Sequence, residues 1–185
     1  STDENIQQSY WKYPTLISTI LSIYHLDFLN KNKNSNHYDK SNYFSVDAIS
    51  GGSFFLAKNL FNDLNGFNDN LFWMEDIDFC KRALTLGHKI AYLPKTKLVH
   101  FIGKSSEKNW VVTISNRLLS KIKYFKLHHG SFEVMTLITA IYLLVVVKCA
   151  YFLFLSPFNS VYHKKFMGYL TTLKLLLQKQ YQIGS

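Results

Sequence analysis

Acidic side chains are scarce in this sequence: 12 Asp and Glu stand against 21 Lys and Arg, a formal charge of +9. A surplus of that size points to an anionic partner, be it a lipid surface, a nucleic acid or a phosphorylated substrate. Cysteine is scarcer still. Cys80 and Cys149 sit far apart with no metal-ligand spacing, so they read as two buried thiols in a reducing compartment rather than a disulfide framework. No stretch has the glycines of a dinucleotide fingerprint or the Gly-Lys-Ser/Thr ending of a phosphate-binding loop. Zinc spacing and RNA-binding signatures are also missing, and the basic residues cluster against an apolar run, so lipid fits better than nucleic acid. There is no internal repeat. The opening STDENIQQSY lacks the basic and apolar regions of a signal peptide, and without an initiator Met the chain reads as a fragment.

What is present suffices for one ordinary domain with a real core, since 48% of the 185 residues are hydrophobic. Residues 1–29 contain YPTLISTILSIYHLDFL. Pro14 can open a helix there, and Leu16, Ile17, Ile20, Leu21 and Tyr24 recur at helical spacing. Residues 30–43 are rich in Asn, Lys and Ser and read as an exposed loop. Residues 44–106 begin as a short strand, turn at Gly51-Gly52 and reach the turn-rich NDLNGFND. A helix follows, with Asp76 and Asp78 in its first turn. Ile77, Cys80, Ala83 and Leu84 form its apolar face, and Gly87 is its stop. HKIAYLP and KLVHFIG read as two strands broken by Pro94. Residues 107–131 are a basic connecting segment. Residues 132–158 are long enough to cross a bilayer, which takes ~20 apolar residues. Three readings stand for that run: a helix pair or embedded segment that returns to its own side, a single span, and a buried soluble helix.

Three of the twelve acidic residues crowd into LFWMEDIDFCKR, residues 71–82. Capping explains carboxylates in a first helical turn. Catalysis explains them too: Trp73 and Met74 make an apolar wall that desolvates a carboxylate, and such a group can take a proton from a sugar hydroxyl. Gly51-Gly52 reads as a turn or bulge, or as a close approach of backbone to ligand. His100 lies on a strand pattern among apolar neighbours, which suits a core histidine as well as a metal ligand.

In order, these pieces resemble the C-terminal half of the catalytic domain of family-two glycosyltransferases of the GT-A type. The closer likeness is to the bacterial rhamnosyltransferase-like branch that builds surface polysaccharides. The likeness runs densely over residues 46–106, through SVDAISGGSFF, NGFNDNLFWMEDIDFCKRALTLGHKIAYLP and KLVHFIGKSS. It implies an α/β fold: a partial GT-A domain over 1–106, then the basic segment 107–131, then membrane-associated helices over 132–185. It also implies inverting transfer of a sugar from a nucleotide-diphosphate donor to a lipid-linked or polysaccharide acceptor. By that likeness Asp76 is the general base, Glu75 shapes the acceptor site, Gly51 and Gly52 pass close to the ligands, and Trp73 stacks on a sugar. His100 would help hold magnesium or manganese. Asp78 and Arg82 fall to a helix and salt-bridge role. The expected setting is the cytoplasmic face of the bacterial inner membrane. Such enzymes carry a donor-binding half with an Asp-x-Asp motif, and residues 1–45 hold none. The chain is therefore expected to carry the acceptor side alone, as an inactive remnant or beside a separate N-terminal half.

Overall fold

The computed structural model describes residues 9–29, 43–95 and 109–178. They belong to two compact units, one of Ser1–Thr15 with Asn30–Ile102, the other of Leu16–Leu29 with Gly103–Ser185. Residues 16–29 group with the C-terminal helices in the second unit.

The first unit is mixed α/β with very short strands. β1 (Tyr10–Trp11) pairs antiparallel with β3 (Ala48–Ile49), and β2 (Phe44–Ser45) with β4 (Ala91–Tyr92). Ladders of two residues contribute few backbone hydrogen bonds, so side chains must hold them. The Tyr10 ring lies 5.3 Å from Phe44 and 4.8 Å from Tyr92, which ties one ladder to the other. Among the described residues no parallel pair occurs. The strand expected at 97–103 lies outside them.

Two helices carry the rest of this unit. α2 (Lys58–Asp63) ends where Asn65 and Gly66 turn to positive φ. The Gly66 N–H donates to Phe61 O and the Asn65 N–H to Asn62 O, a Schellman ending. A Cβ at Gly66 would meet Phe61 Cζ at 3.0 Å, on a φ of +70° that disfavours one anyway. α3 (Glu75–Thr85) ends the same way at Gly87, with His88 N–H donating to Ala83 O. Its buried face is Asp78, Phe79, Cys80 and Ala83, whereas Leu84 is exposed. The expected apolar face is thus rotated, because Phe79 packs with Phe54, Phe61 and Phe67 while Asp78 finds a partner inside. That partner is Arg82, whose Nε donates to Asp78 Oδ2 at 2.7 Å. Its other nitrogens donate to Leu64 O at 2.6 Å and Gly66 O at 2.9 Å.

The second unit is helical. α1 (Leu16–Ile23) starts two residues after Pro14 and buries Thr19 and Ile23; Ile17, expected inside, faces out. The basic segment is no mere connector, since most of it forms α4 (Trp110–His128) and buries Leu118, Leu119, Ile122 and Phe125. α5 (Ser131–Leu155) covers most of the apolar run, and a 3-10 turn at Ser156–Phe158 leads into α6 (Ser160–Leu176). Helices α4 and α6 cross closely at Gly168, where a Cβ would sit 2.9 Å from Ile114 Cδ1. Beside that crossing the Thr172 O–H donates to Gly168 O at 2.8 Å and lies 3.1 Å from the Ser115 hydroxyl. Small residues permit such an approach. Together Ser131–Phe158 is long and apolar enough to cross a membrane, by length and composition.

Two expectations follow. Arg82→Met removes the ion pair of a buried carboxylate and the donors to two carbonyls, which costs about 3–5 kcal/mol. Urea unfolding should show that loss, and Asp78→Leu added to it should recover part. In the second unit, burial and the nearby Arg117 push the Lys121 ammonium down to about 8, against a partial pull from Asp27. A folded value below the ordinary ~10.4 means that the unfolded chain binds more protons between the two, so stability rises with pH across that window. Below it both states are protonated and the cost is fully present. Lys121→Met should raise stability at neutral pH by on the order of 1–3 kcal/mol and flatten that rise, as read by thermal unfolding.

Candidate functional site

The acidic cluster separates into three roles. Asp78 turns inward to Arg82 and is 1% exposed, so it takes no part in an open site. Asp76 stays half-buried near the surface. Its Oδ1 accepts from the Ile77 N–H at 2.8 Å, and its Oδ2 accepts from the Gly51 N–H at 3.0 Å. The cap residue Met74 contributes no side-chain hydrogen bond, so Asp76 supplies the first-turn acceptor that a Ser or Asp cap would normally provide. The same carboxylate bridges to a turn 25 residues away. A side chain at Gly51 would sit in ordinary contact with Asp76, 3.5 Å from its Cβ. Glycine there is a matter of closeness more than of conformation. Gly52 follows in the same turn, its N–H directed at Ser50 Oγ.

Glu75 is half-buried, and its Oε2 is enclosed with no hydrogen-bond partner among the described residues. A buried carboxylate oxygen left unpaired is an acceptor awaiting a donor. Trp73 precedes it with a φ of +80°, a conformation rarely taken by a bulky residue. The strain presents its ring outward: Trp73 is 47% exposed and meets the equally outward Phe72 edge-to-face at 5.8 Å. Strained backbone of this kind clusters at functional sites.

Two neighbours, Cys80 and Tyr13, had no site role in the sequence reading. Cys80 stands one helical turn beyond Asp76, fully buried. Burial pushes its thiol up to about 11, the Ile49 backbone hydrogen bond works against this, and Asp76 adds to it. The thiol is thus protonated at neutral pH and is no nucleophile. Tyr13 is raised well above the usual phenol range, first by burial, then by Cys80 and Asp47. Its N–H donates to Asp47 Oδ2, its O–H is buried with no partner among the described residues, and Lys81 lies 5.5 Å from its ring centre. The i, i+4 step from Asp76 to Cys80 was a readable signal for one of them. Nothing in WKYP announced the other.

His100 lies outside the described residues. Among the described residues no three His, Cys, Asp or Glu gather as a cation set. The acidic cluster itself suits one poorly, because the Asp76 oxygens already accept amides and Asp78 faces Arg82. The described residues therefore offer magnesium or manganese no cage of their own.

The Trp73 strain has a measurable consequence. Trp73→Gly relaxes the backbone and should stabilise the chain by about 1 kcal/mol in urea unfolding. Trp73→Phe, which keeps a Cβ, should not.

Residues 32–104 match the family model described as the N-terminal domain of galactosyltransferase. The match takes in less than half of the chain but includes every candidate residue above. No curated protein and no solved structure matches the chain. The family match supports a glycosyltransferase-type domain in this stretch, without singling out the family-two or rhamnosyltransferase-like branch.

Proposed function

We propose that this stretch is the acceptor side of an inverting glycosyltransferase site, in a partial GT-A fold of the family-two, rhamnosyltransferase-like kind. The observation that carries the reading is the junction of Asp76 with Gly51. It fixes a half-buried carboxylate beside an outward pair of aromatic rings, inside the region that matches a glycosyltransferase family. In the reaction, the acceptor hydroxyl oxygen attacks the anomeric carbon of the donor sugar. Asp76 takes the hydroxyl proton, and the bond to the nucleoside diphosphate breaks with its electron pair leaving on the phosphate. Two backbone amides hold the base still, so little reorganisation is needed as the proton moves. Glu75 accepts from an acceptor hydroxyl, and Trp73 stacks on a sugar face. Gly51 and Gly52 keep the backbone close enough for the acceptor to reach Asp76.

The donor is a nucleotide-diphosphate sugar and the acceptor a lipid-linked or growing glycan, at the cytoplasmic face of a bacterial inner membrane. His100 is the residue for magnesium or manganese in that reading. A separate N-terminal half supplies the donor-binding wall.

One observation favours a second reading. Both Asp76 oxygens are already committed to backbone amides, which is how a purely structural lock between a helix and a turn also looks. Such a chain is a non-catalytic, membrane-associated partner. Asp76→Asn separates the two, since the amide keeps one acceptor for one N–H. In either reading the variant gives up one of the two amide bonds and some stability; a catalytic Asp76 should in addition lose on the order of 100- to 10,000-fold in transfer rate, with helix content nearly unchanged. A structural lock should lose stability while transfer in the complete system persists.

A further inference from the structure

The outward side of α5 is apolar along its whole length. Phe132, Met135, Leu143, Val147, Tyr151 and Phe154 are exposed, from 41% at Met135 to 77% at Phe132. With Thr139 between them, they recur at three- and four-residue steps, which makes one continuous stripe on a helix ~38 Å long. Phe158 prolongs it across the 3-10 turn. No charged residue falls on it. Soluble monomers seldom leave so long an apolar strip uncovered.

The start of the stripe borders a groove of about 460 Å³ between α1 and α5. Ile20 and Tyr24 form its α1 wall, and Phe132, Met135 and Leu143 belong to groove and stripe alike. Its polar atoms are largely engaged within the unit: the Tyr24 O–H donates to Ala140 O at 2.9 Å, and the Thr136 O–H to Phe132 O at 2.9 Å. The surface therefore offers mainly hydrocarbon. Charge defines the occupant further. Residues 16–29 and 109–178 carry eight Lys and Arg against two Asp and Glu, so the apolar stripe sits within a strongly cationic unit.

The packing also decides how α5 meets a membrane. Its other side, with Leu137, Ile141, Val145 and Phe152, is buried, and α1, α4 and α6 pack along the helix. To cross a bilayer in this packing, α5 would bring along Arg117, Lys121 and Lys164, each costly in hydrocarbon. Lying in the interface avoids that cost. We propose that α5 rests in the plane of an anionic phospholipid leaflet, with its exposed stripe among the acyl chains and the unit's cations over the headgroups. This does not depend on any role for Asp76.

The full chain is mixed with vesicles of phosphatidylcholine alone or with phosphatidylglycerol and floated on a density gradient. At least tenfold more protein should float with the anionic vesicles, and added salt should reduce it. Equal flotation with both, or none with either, overturns the proposal. Depth is then read from an environment-sensitive label on Phe132→Cys, Val147→Cys and Phe158→Cys, with brominated lipids as quenchers. Equal shallow depths are expected. A label at 147 far deeper than those at 132 and 158 means a span and overturns the in-plane reading. Val147→Asp, on an exposed site, should cut flotation about tenfold with helix content unchanged; unchanged flotation counts against the stripe.

Discussion

The guanidinium of Arg82 is the group on which the first unit depends. Strands of two residues and a helix of six have little stability of their own. The Schellman ending of α2 leaves the carbonyls of Leu64 and Gly66 without partners in their own helix, and Arg82 collects both. Its third contact, to Asp78, balances the charge of a buried carboxylate. One planar side chain thereby joins the end of α2 to the middle of α3. Between those two points the chain runs through the turns at 68–74 that deliver Trp73, Glu75 and Asp76. Lysine could not take the place of Arg82, because the arrangement uses three donors in a fixed fork.

Local signals were legible where one residue type has one physical use. Gly87 ends α3 because the backbone must turn left-handed there, and Pro14 precedes α1 because proline fits a helix start. The i, i+4 spacing of Asp78 and Arg82 was readable as an ion pair. Burial was harder. Leu84 and Ile17 are apolar and at plausible spacing, yet both face out. In α3 the orientation follows Phe79, which packs with three phenylalanines from outside the helix; in α1 it is Thr19 and Ile23 that turn inward. A basic stretch such as 117–126 hides an amphipathic helix, because long cationic side chains leave its apolar residues looking sparse.

The candidate site was legible as a set of residues and illegible as a geometry. Spacing could place Asp76 in a first helical turn. It could not show that the same carboxylate reaches across 25 residues to the Gly51 amide, nor that Trp73 adopts a positive φ to turn its ring outward. Tyr13 and Asp47 come to this neighbourhood through the pairing of β1 with β3, a contact between residues 34 or more positions apart. Asp78, given a helix and salt-bridge role with Arg82, is a core residue that pairs with that arginine.

The double use of Asp76 couples chemistry to mechanics. A carboxylate accepts from Ile77 and Gly51 at full strength only while it carries its charge. A proton arriving on Oδ2 turns that oxygen into a hydroxyl, a weaker acceptor, and the bond from the Gly51 N–H weakens without any change of place. A group that receives a substrate's proton would in this way slacken its hold on the turn at 50–53 while keeping its own position.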